Sequence, residues 1–153
     1  MIYLDYAAAT PIDQRVLDAE EPYFRERFFN PSASYQAARE VRRDYEEARH
    51  VLAQNLGARP AEIVITAGAT ESTNLAIGGV SGHIVTTNIE HPAVLALASA
   101  RNATILPVNE KGLVNPASVE NAITDETEIV SVGYANSDIG TVPPTKEIAI
   151  SIE

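Results

Sequence analysis

The sequence predicts an α/β fold: a three-layer sandwich with a mostly parallel sheet and helices on both faces. Two observations carry that prediction. From Glu62 onward, short β-branched runs (EIVIT, HIVTTN, TILPVN and EIVSVGYAN) alternate with helix-like runs. Such alternation implies parallel pairing through helical crossovers. The strand runs are also apolar almost throughout, as expected where helices cover both faces of a sheet.

Taken in order, the chain opens with LDYAAATP, a turn-like piece of small residues. A helical pattern follows Asp13, with Pro22 as a kink or boundary. FFNPSAS is a second turn-like piece, and Tyr3, Tyr6, Phe28 and Phe29 are expected in a core. The strongest helix runs from Tyr35, where Ala38, Val41, Tyr45, Ala48, Leu52 and Leu56 recur at helical spacing and Gly57 supplies a stop. Strands are expected at Ile63–Thr66, His83–Thr87, Thr104–Val108 and Ile129–Gly133. Helices are expected over Thr70–Ile77, Pro92–Ala100 and Pro116–Ile123, with prolines suited to first helical positions and Asn115 suited to a cap. A last helix opens at Thr145 and stops after a few residues. A fold of this kind would continue into another strand, so the tail reads either as frayed or as part of a larger fold.

Bulk properties narrow the function classes. The chain has 153 residues and 45% hydrophobic content, enough to bury roughly 70% of its unfolded surface in one ordinary domain. Its formal net charge of −10 and pI near 4.7 argue against non-specific binding to nucleic acid or an anionic membrane. With no cysteine, this chain offers no disulfide, thiolate nucleophile or thiolate metal site. MIYLDYAAATP has neither a basic start nor a long apolar stretch, so no signal peptide is read there. No apolar run approaches the roughly 20 residues of a membrane span. A soluble cytoplasmic protein is the default expectation.

Ligands of open parallel sheets bind outside the carboxyl ends of the strands. That rule selects Ala67–Thr70, Asn88–His91 and Ala135–Asp138, which would face one crevice if the strands are parallel. The first segment has the parts of a phosphate site: Gly68 for close backbone approach, a helix N-terminus, and the hydroxyls of Thr70 and Ser72. Taken alone it reads more readily as a tight strand-to-helix turn with Thr70 as cap. It is neither a Walker loop nor a dinucleotide fingerprint, because no lysine follows and only one glycine is present. His91 precedes a helix-starting proline at a strand end, where an imidazole can stack on a flat ligand or move a proton; taken alone it reads more readily as an exposed or capping histidine. His50 and His83 carry less signal, one inside the long helix and one opening a strand.

Together YLDYAAATP, NPSASY, EIVITAGATESTNLAI, TNIEHPAVL and ANSDIGTVPP resemble the N-terminal part of NifS/IscS-type cysteine desulfurases, class V aminotransferases that use pyridoxal phosphate. The resemblance covers nearly the whole chain. It implies an incomplete fragment of the large domain of pyridoxal-phosphate-dependent transferases, with an N-terminal arm and first helix over residues 1–30 and a partial large domain over 31–153. It implies that Ala69 and Thr70 hold the cofactor phosphate. His91 would lie over the pyridine ring as the catalytic proton carrier, and Asn30 would sit near the substrate. Ser137 occupies the position where the family has an asparagine near the ring oxygen, with Asn136 one residue earlier. The VSG connection after NLAIGG is shorter than usual for the family.

The implied activity is removal of sulfur from cysteine, giving alanine and an enzyme-bound persulfide for iron-sulfur cluster or tRNA thiolation supply. Family members carry their pyridine-nitrogen aspartate, Schiff-base lysine, nucleophilic cysteine and substrate arginine in a further part, and Lys111 and Lys146 do not match the lysine motif. This chain alone is therefore expected to be inactive. The expected partners are a second copy or a complementary C-terminal half, with an amino acid as substrate and no metal, nucleic acid or membrane. The alternative is a truncated, non-catalytic relative that uses the fold for binding or assembly.

Overall fold

A computed structural model describes residues 2–152, which form two compact units, one running through Ile65 and one from Thr66. In the first unit, helix α1 spans Gln14–Arg25. Asp13 caps it by accepting from the Arg15 N–H at 2.9 Å. Pro22 lies inside α1 without ending it, and its carbonyl accepts from the N–H groups of Glu26 and Arg27. Helix α2 spans Gln36–Leu56 and ends where Gly57 turns to φ 66°. There the Ala58 N–H reaches the Ala53 carbonyl at 2.9 Å, the left-handed glycine stop that the sequence predicts. Arg27 pairs with Asp44, which also accepts from the Tyr23 hydroxyl at 3.0 Å, and this ties the end of α1 to α2.

Two expectations fail in this unit. Ile63–Thr66 is not a strand: the segment follows a 3-10 turn at Pro60–Glu62 but pairs with no neighbour, and Val64 is 73% exposed. A β-rich local sequence makes a strand only where another edge completes its hydrogen bonds. Tyr3, Tyr6 and Phe28 are exposed instead of forming a core. They pack on one another locally, Tyr3 edge-on to Tyr6 and Phe28 stacked on the partly buried Phe29.

The second unit alternates as expected: α3 (Ala69–Gly78), β1 (His83–Thr87), α4 (Pro92–Ser99), β2 (Ala103–Leu106), α5 (Pro116–Ala122), β3 (Thr127–Ser131) and α6 (Thr145–Ser151). The strands make one parallel sheet in the order β2-β1-β3. Central β1 is buried along its whole length. Successive side chains of a strand face opposite ways: Ile84 packs with Ile77 of α3 and Val94 of α4, while Val85 packs with Val114, Val119 of α5 and Ile148 of α6. Helices thus cover both faces. Strand β2 stops at Leu106 because Pro107 has no N–H for the ladder. Strand β3 begins and ends earlier than expected, at Thr127 and Ser131. No helix among the described residues is long and apolar enough to cross a membrane.

His83 is a structural residue. Its ring nitrogens sit 2.8 Å from Thr127 Oγ1 and 2.9 Å from Thr104 Oγ1, joining the central strand to both neighbours.

Candidate functional site

Strand β1 ends at Thr87, and the chain turns through residues 88–90 into α4. His91 caps that helix: its Nδ1 accepts from the Ala93 N–H at 3.1 Å, and Pro92 takes the first helical position. With Nδ1 accepting, the proton of the neutral ring sits on Nε2. The imidazole is exposed, and its Nε2 has no partner among the described residues.

Strand β3 leaves the sheet through Val132 and Gly133, and residues 135–138 form a second wall. The two loops enclose a cleft of about 410 Å³ whose lining includes Glu90, His91, Gly133, Asn136, Ser137 and Asp138. Two of the segments selected by the strand-end rule therefore share one cleft.

The walls are fastened to each other. Glu90 Oε1 accepts from the Gly133 N–H at 2.9 Å and from the Thr87 hydroxyl at 2.7 Å. The Asn136 side-chain amide donates to the Ile89 carbonyl at 3.0 Å, while its oxygen accepts from the N–H groups of Asp138 at 2.9 Å and Ile139 at 3.1 Å. Asn136 is thus engaged in shaping the loop. Ser137 is exposed on the cleft, and its hydroxyl donates to Asp138 Oδ1 at 3.3 Å, a contact an exposed hydroxyl can exchange by rotating.

The third segment is placed differently. Helix α3 leads into β1 through a short connection, residues 79–82, so its N-terminus lies at the same end of the layer as the carboxyl end of β1. Yet Ala69 and Thr70 do not line the His91 cleft. Ser72 and Thr73, further along α3, border a neighbouring cleft of about 400 Å³ with Ser131 and Val132 on its other side, and Ala69 and Thr70 do not line that one either. Where one crevice is expected, the unit has two adjacent clefts. The strand-end rule does not apply to the first segment, because Ile63–Thr66 is not a strand.

Gly68, not Thr70, is the N-cap of α3, and its φ of 163° is ordinary extended backbone. Glu71 reaches back to the Ala67 N–H at 2.7 Å, and the Ser72 N–H bonds the Gly68 carbonyl at 3.1 Å. The N–H groups of Ala69, Thr70 and Glu71 find no acceptor among the described residues. Such an end suits an anion.

Asn30 lies in the first unit, where its Oδ1 accepts from the Ser32 N–H at 2.9 Å in a local turn. Neither Lys111 nor Lys146 lines the His91 cleft. Glu90 lies in a selected segment and Gly133 at an expected strand end, but the sequence assigns neither a role in the site. The one local signal for them was a threonine three residues before Glu90, able to hold the carboxylate in a tight turn.

A family model described as aminotransferase class V matches residues 2–152. The cysteine desulfurase IscS of Dictyoglomus turgidum is 39% identical over 160 residues, covering 97% of this chain and 41% of that protein. The corresponding protein of Rickettsia akari is 45% identical, over 96% of this chain and 39% of its own length. Among solved structures, one described as SspA in complex with cysteine matches with a TM-score of 0.91 and 38% identity, over 97% of this chain and 46% of that one. A NifS-like protein matches with a TM-score of 0.92 and 31% identity, over 99% and 45%. The chain spans about 41% and 39% of the lengths of these two IscS relatives.

Proposed function

The chain belongs to the aminotransferase class V family, and from that membership we propose that it is the N-terminal part of a pyridoxal-phosphate-dependent cysteine desulfurase. One observation carries the reading: His91 and Ser137, both singled out for the cofactor ring, line the same cleft at the carboxyl end of the sheet. The homologues named as cysteine desulfurases, and the related structure described as holding cysteine, support the substrate class.

The donor chemistry fits pyridoxal phosphate. The free N–H groups of Ala69 and Thr70 at a helix N-terminus suit its phosphate. An exposed imidazole suits the face of its ring, and the Ser137 hydroxyl suits its ring oxygen. When bound, the group supplies an electron sink for bonds at the α-carbon of an amino acid. His91 would face the ring and hold or deliver a proton through Nε2, its Nδ1 being fixed by the Ala93 N–H. Asn30 is assigned to the substrate end by the family resemblance, with its side-chain NH₂ as the free donor. The same resemblance assigns residues 1–30 to an arm with the first helix and 31–153 to part of the large domain. Sulfur would leave as a persulfide on a residue outside this sequence, with supply to iron-sulfur clusters or tRNA thiolation as the use. The complement is a C-terminal half of the same enzyme type, and the complete enzyme is a homodimer in the cytoplasm.

The test is a chimaera that joins this chain to the part of the Rickettsia akari relative beyond its match. The reading expects alanine and sulfide from cysteine with the chimaera, and none with this chain alone, because no lysine lines the cleft. Release by this chain alone, or a folded, cofactor-loaded chimaera whose cysteine turnover is unchanged by His91→Ala, would contradict it.

A further inference from the structure

We propose that Glu90 is a positioning residue: its carboxylate locks the loop that carries His91 onto the end of β3. The inference rests on the reading of His91 as the group that faces the cofactor ring. Three observations support it.

Glu90 Oε1 accepts two hydrogen bonds at once, from the Thr87 hydroxyl at 2.7 Å and the Gly133 N–H at 2.9 Å. An ionised acceptor makes each bond stronger than its neutral counterpart. The carboxylate is partly buried, and among the described residues no cation pairs with it. Its partners are therefore these two neutral donors, one from the strand before the loop and one from a strand exit far away in sequence.

Gly133 is shaped for this contact. A Cβ there would lie 3.1 Å from Glu90 Oε2, closer than ordinary van der Waals contact. The missing side chain lets the carboxylate reach the backbone N–H.

The lock also adjoins a second tie. Ile89 is held through its carbonyl by Asn136, so both residues immediately before His91 are fixed to the segment that carries Ser137. His91 itself can then turn only about its own side-chain bonds, and the cap to Ala93 restrains those. Fixing a group within a fraction of an ångström is what separates a working site from a loose one. Glu90 also lines the cleft, but its Oε1 is taken up by the Thr87 hydroxyl and the Gly133 N–H. It acts through His91 and through the spacing of the two walls.

The experiment uses the whole chain and the variants Glu90→Ala and Glu90→Gln. Gln keeps an acceptor oxygen for both donors; Ala keeps none. Imidazole nitrogen signals of His91 and amide exchange at Gly133 are read without ligand, and pyridoxal phosphate and inorganic phosphate are then titrated. Glu90→Ala should shift the His91 signals toward a ring averaged over both tautomers and speed Gly133 exchange. It should weaken pyridoxal phosphate roughly tenfold, the size of one lost hydrogen bond to a charged group, with inorganic phosphate unchanged. Glu90→Gln should restore most of each effect. Unchanged His91 signals in Glu90→Ala, or a Gln variant as impaired as Ala, overturns the proposal. If Glu90→Ala does not fold, Thr87→Val, which removes one of the two donors, is read by the same criteria. Failure of the parent chain to bind pyridoxal phosphate would count against the proposed function, while the ligand-free His91 signals still decide the role of Glu90.

Discussion

The side-chain amide of Asn136 donates to the carbonyl of Ile89 at 3.0 Å, across a sequence separation of 47. The same side chain accepts from the N–H groups of Asp138 and Ile139, so one amide closes its own loop and joins it to the other wall of the cleft. Asn136→Ala should therefore speed amide exchange at Asp138 and Ile139 by roughly tenfold or more, since it removes the acceptor of two exposed N–H groups and strands the partly buried Ile89 carbonyl at about 1–3 kcal/mol. Asn136→Asp keeps the acceptor but sets an oxygen against the Ile89 carbonyl, and it should loosen the loop as well. Exchange rates equal to the parent in both variants would deny Asn136 this role.

His83 holds three strands together through a buried ring between Thr104 and Thr127. Replacing it with Ala leaves the Thr104 hydroxyl unpaired, takes one partner from Thr127, which still accepts from the Thr124 N–H, and opens a void. The expected cost is about 2–4 kcal/mol in the second unit. Urea unfolding followed by sheet amides measures it. A loss under about 0.5 kcal/mol, typical of an unremarkable surface change, would mean the bridge contributes little.

Gly112 and Gly57 both have positive φ, at 72° and 66°, but their surroundings differ. A Cβ at Gly112 would meet Ile139 Cδ1 at 2.4 Å, whereas nothing lies within 4 Å of one at Gly57. Gly57→Ala should cost only the left-handed backbone penalty, about 1 kcal/mol. Gly112→Ala should cost more and disturb the loop containing Ile139. Equal losses from the two substitutions would show that backbone conformation alone decides.

Acid should loosen two turns in the first unit. Hydrogen bonds from the Arg59 side chain, and then from its backbone N–H, hold the Glu62 carboxyl below its ordinary value, and Arg15 acts likewise on Asp13. A carboxyl whose folded value is lowered contributes stability above its unfolded value and loses it as pH falls through the folded one. Both groups are fully exposed, so the effect is local and screened by salt. Amide signals of Arg15 and Arg59 should lose their hydrogen-bonded shifts below the ordinary carboxylate range, and sooner at high salt. Signals that persist unchanged to strong acid would contradict the assignment.

Much of this layout was legible in the sequence because its causes are local. Helical spacing with a glycine stop placed α2, and proline with Asn115 placed the start of α5, where Asn115 accepts from the Ala117 N–H at 3.0 Å. The strand-end rule brought His91 and Ser137 to one cleft, because both follow parallel strands that are neighbours in the sheet. What stayed hidden depends on distant partners. Ile63–Thr66 has strand-like residues but pairs with no neighbour, and the exposure of Tyr3, Tyr6 and Phe28 depends on what packs nearby. The bond from Gly133 to Glu90 spans 43 residues, and no spacing rule announces it.

The central claim is that the cleft between residues 88–91 and 135–138 receives the pyridoxal ring while the first turn of α3 receives the phosphate. A nuclear magnetic resonance titration of the whole chain with pyridoxal phosphate and with inorganic phosphate, repeated with His91→Ala, tests it most directly. A helix end with a few hydroxyls binds an anion weakly, on the order of millimolar. Both ligands should shift the Ala69 and Thr70 amides, only pyridoxal phosphate should shift His91 and Ser137, and His91→Ala should weaken pyridoxal phosphate but not inorganic phosphate. Silent Ala69 and Thr70 amides, or equal weakening of both ligands by His91→Ala, would contradict it.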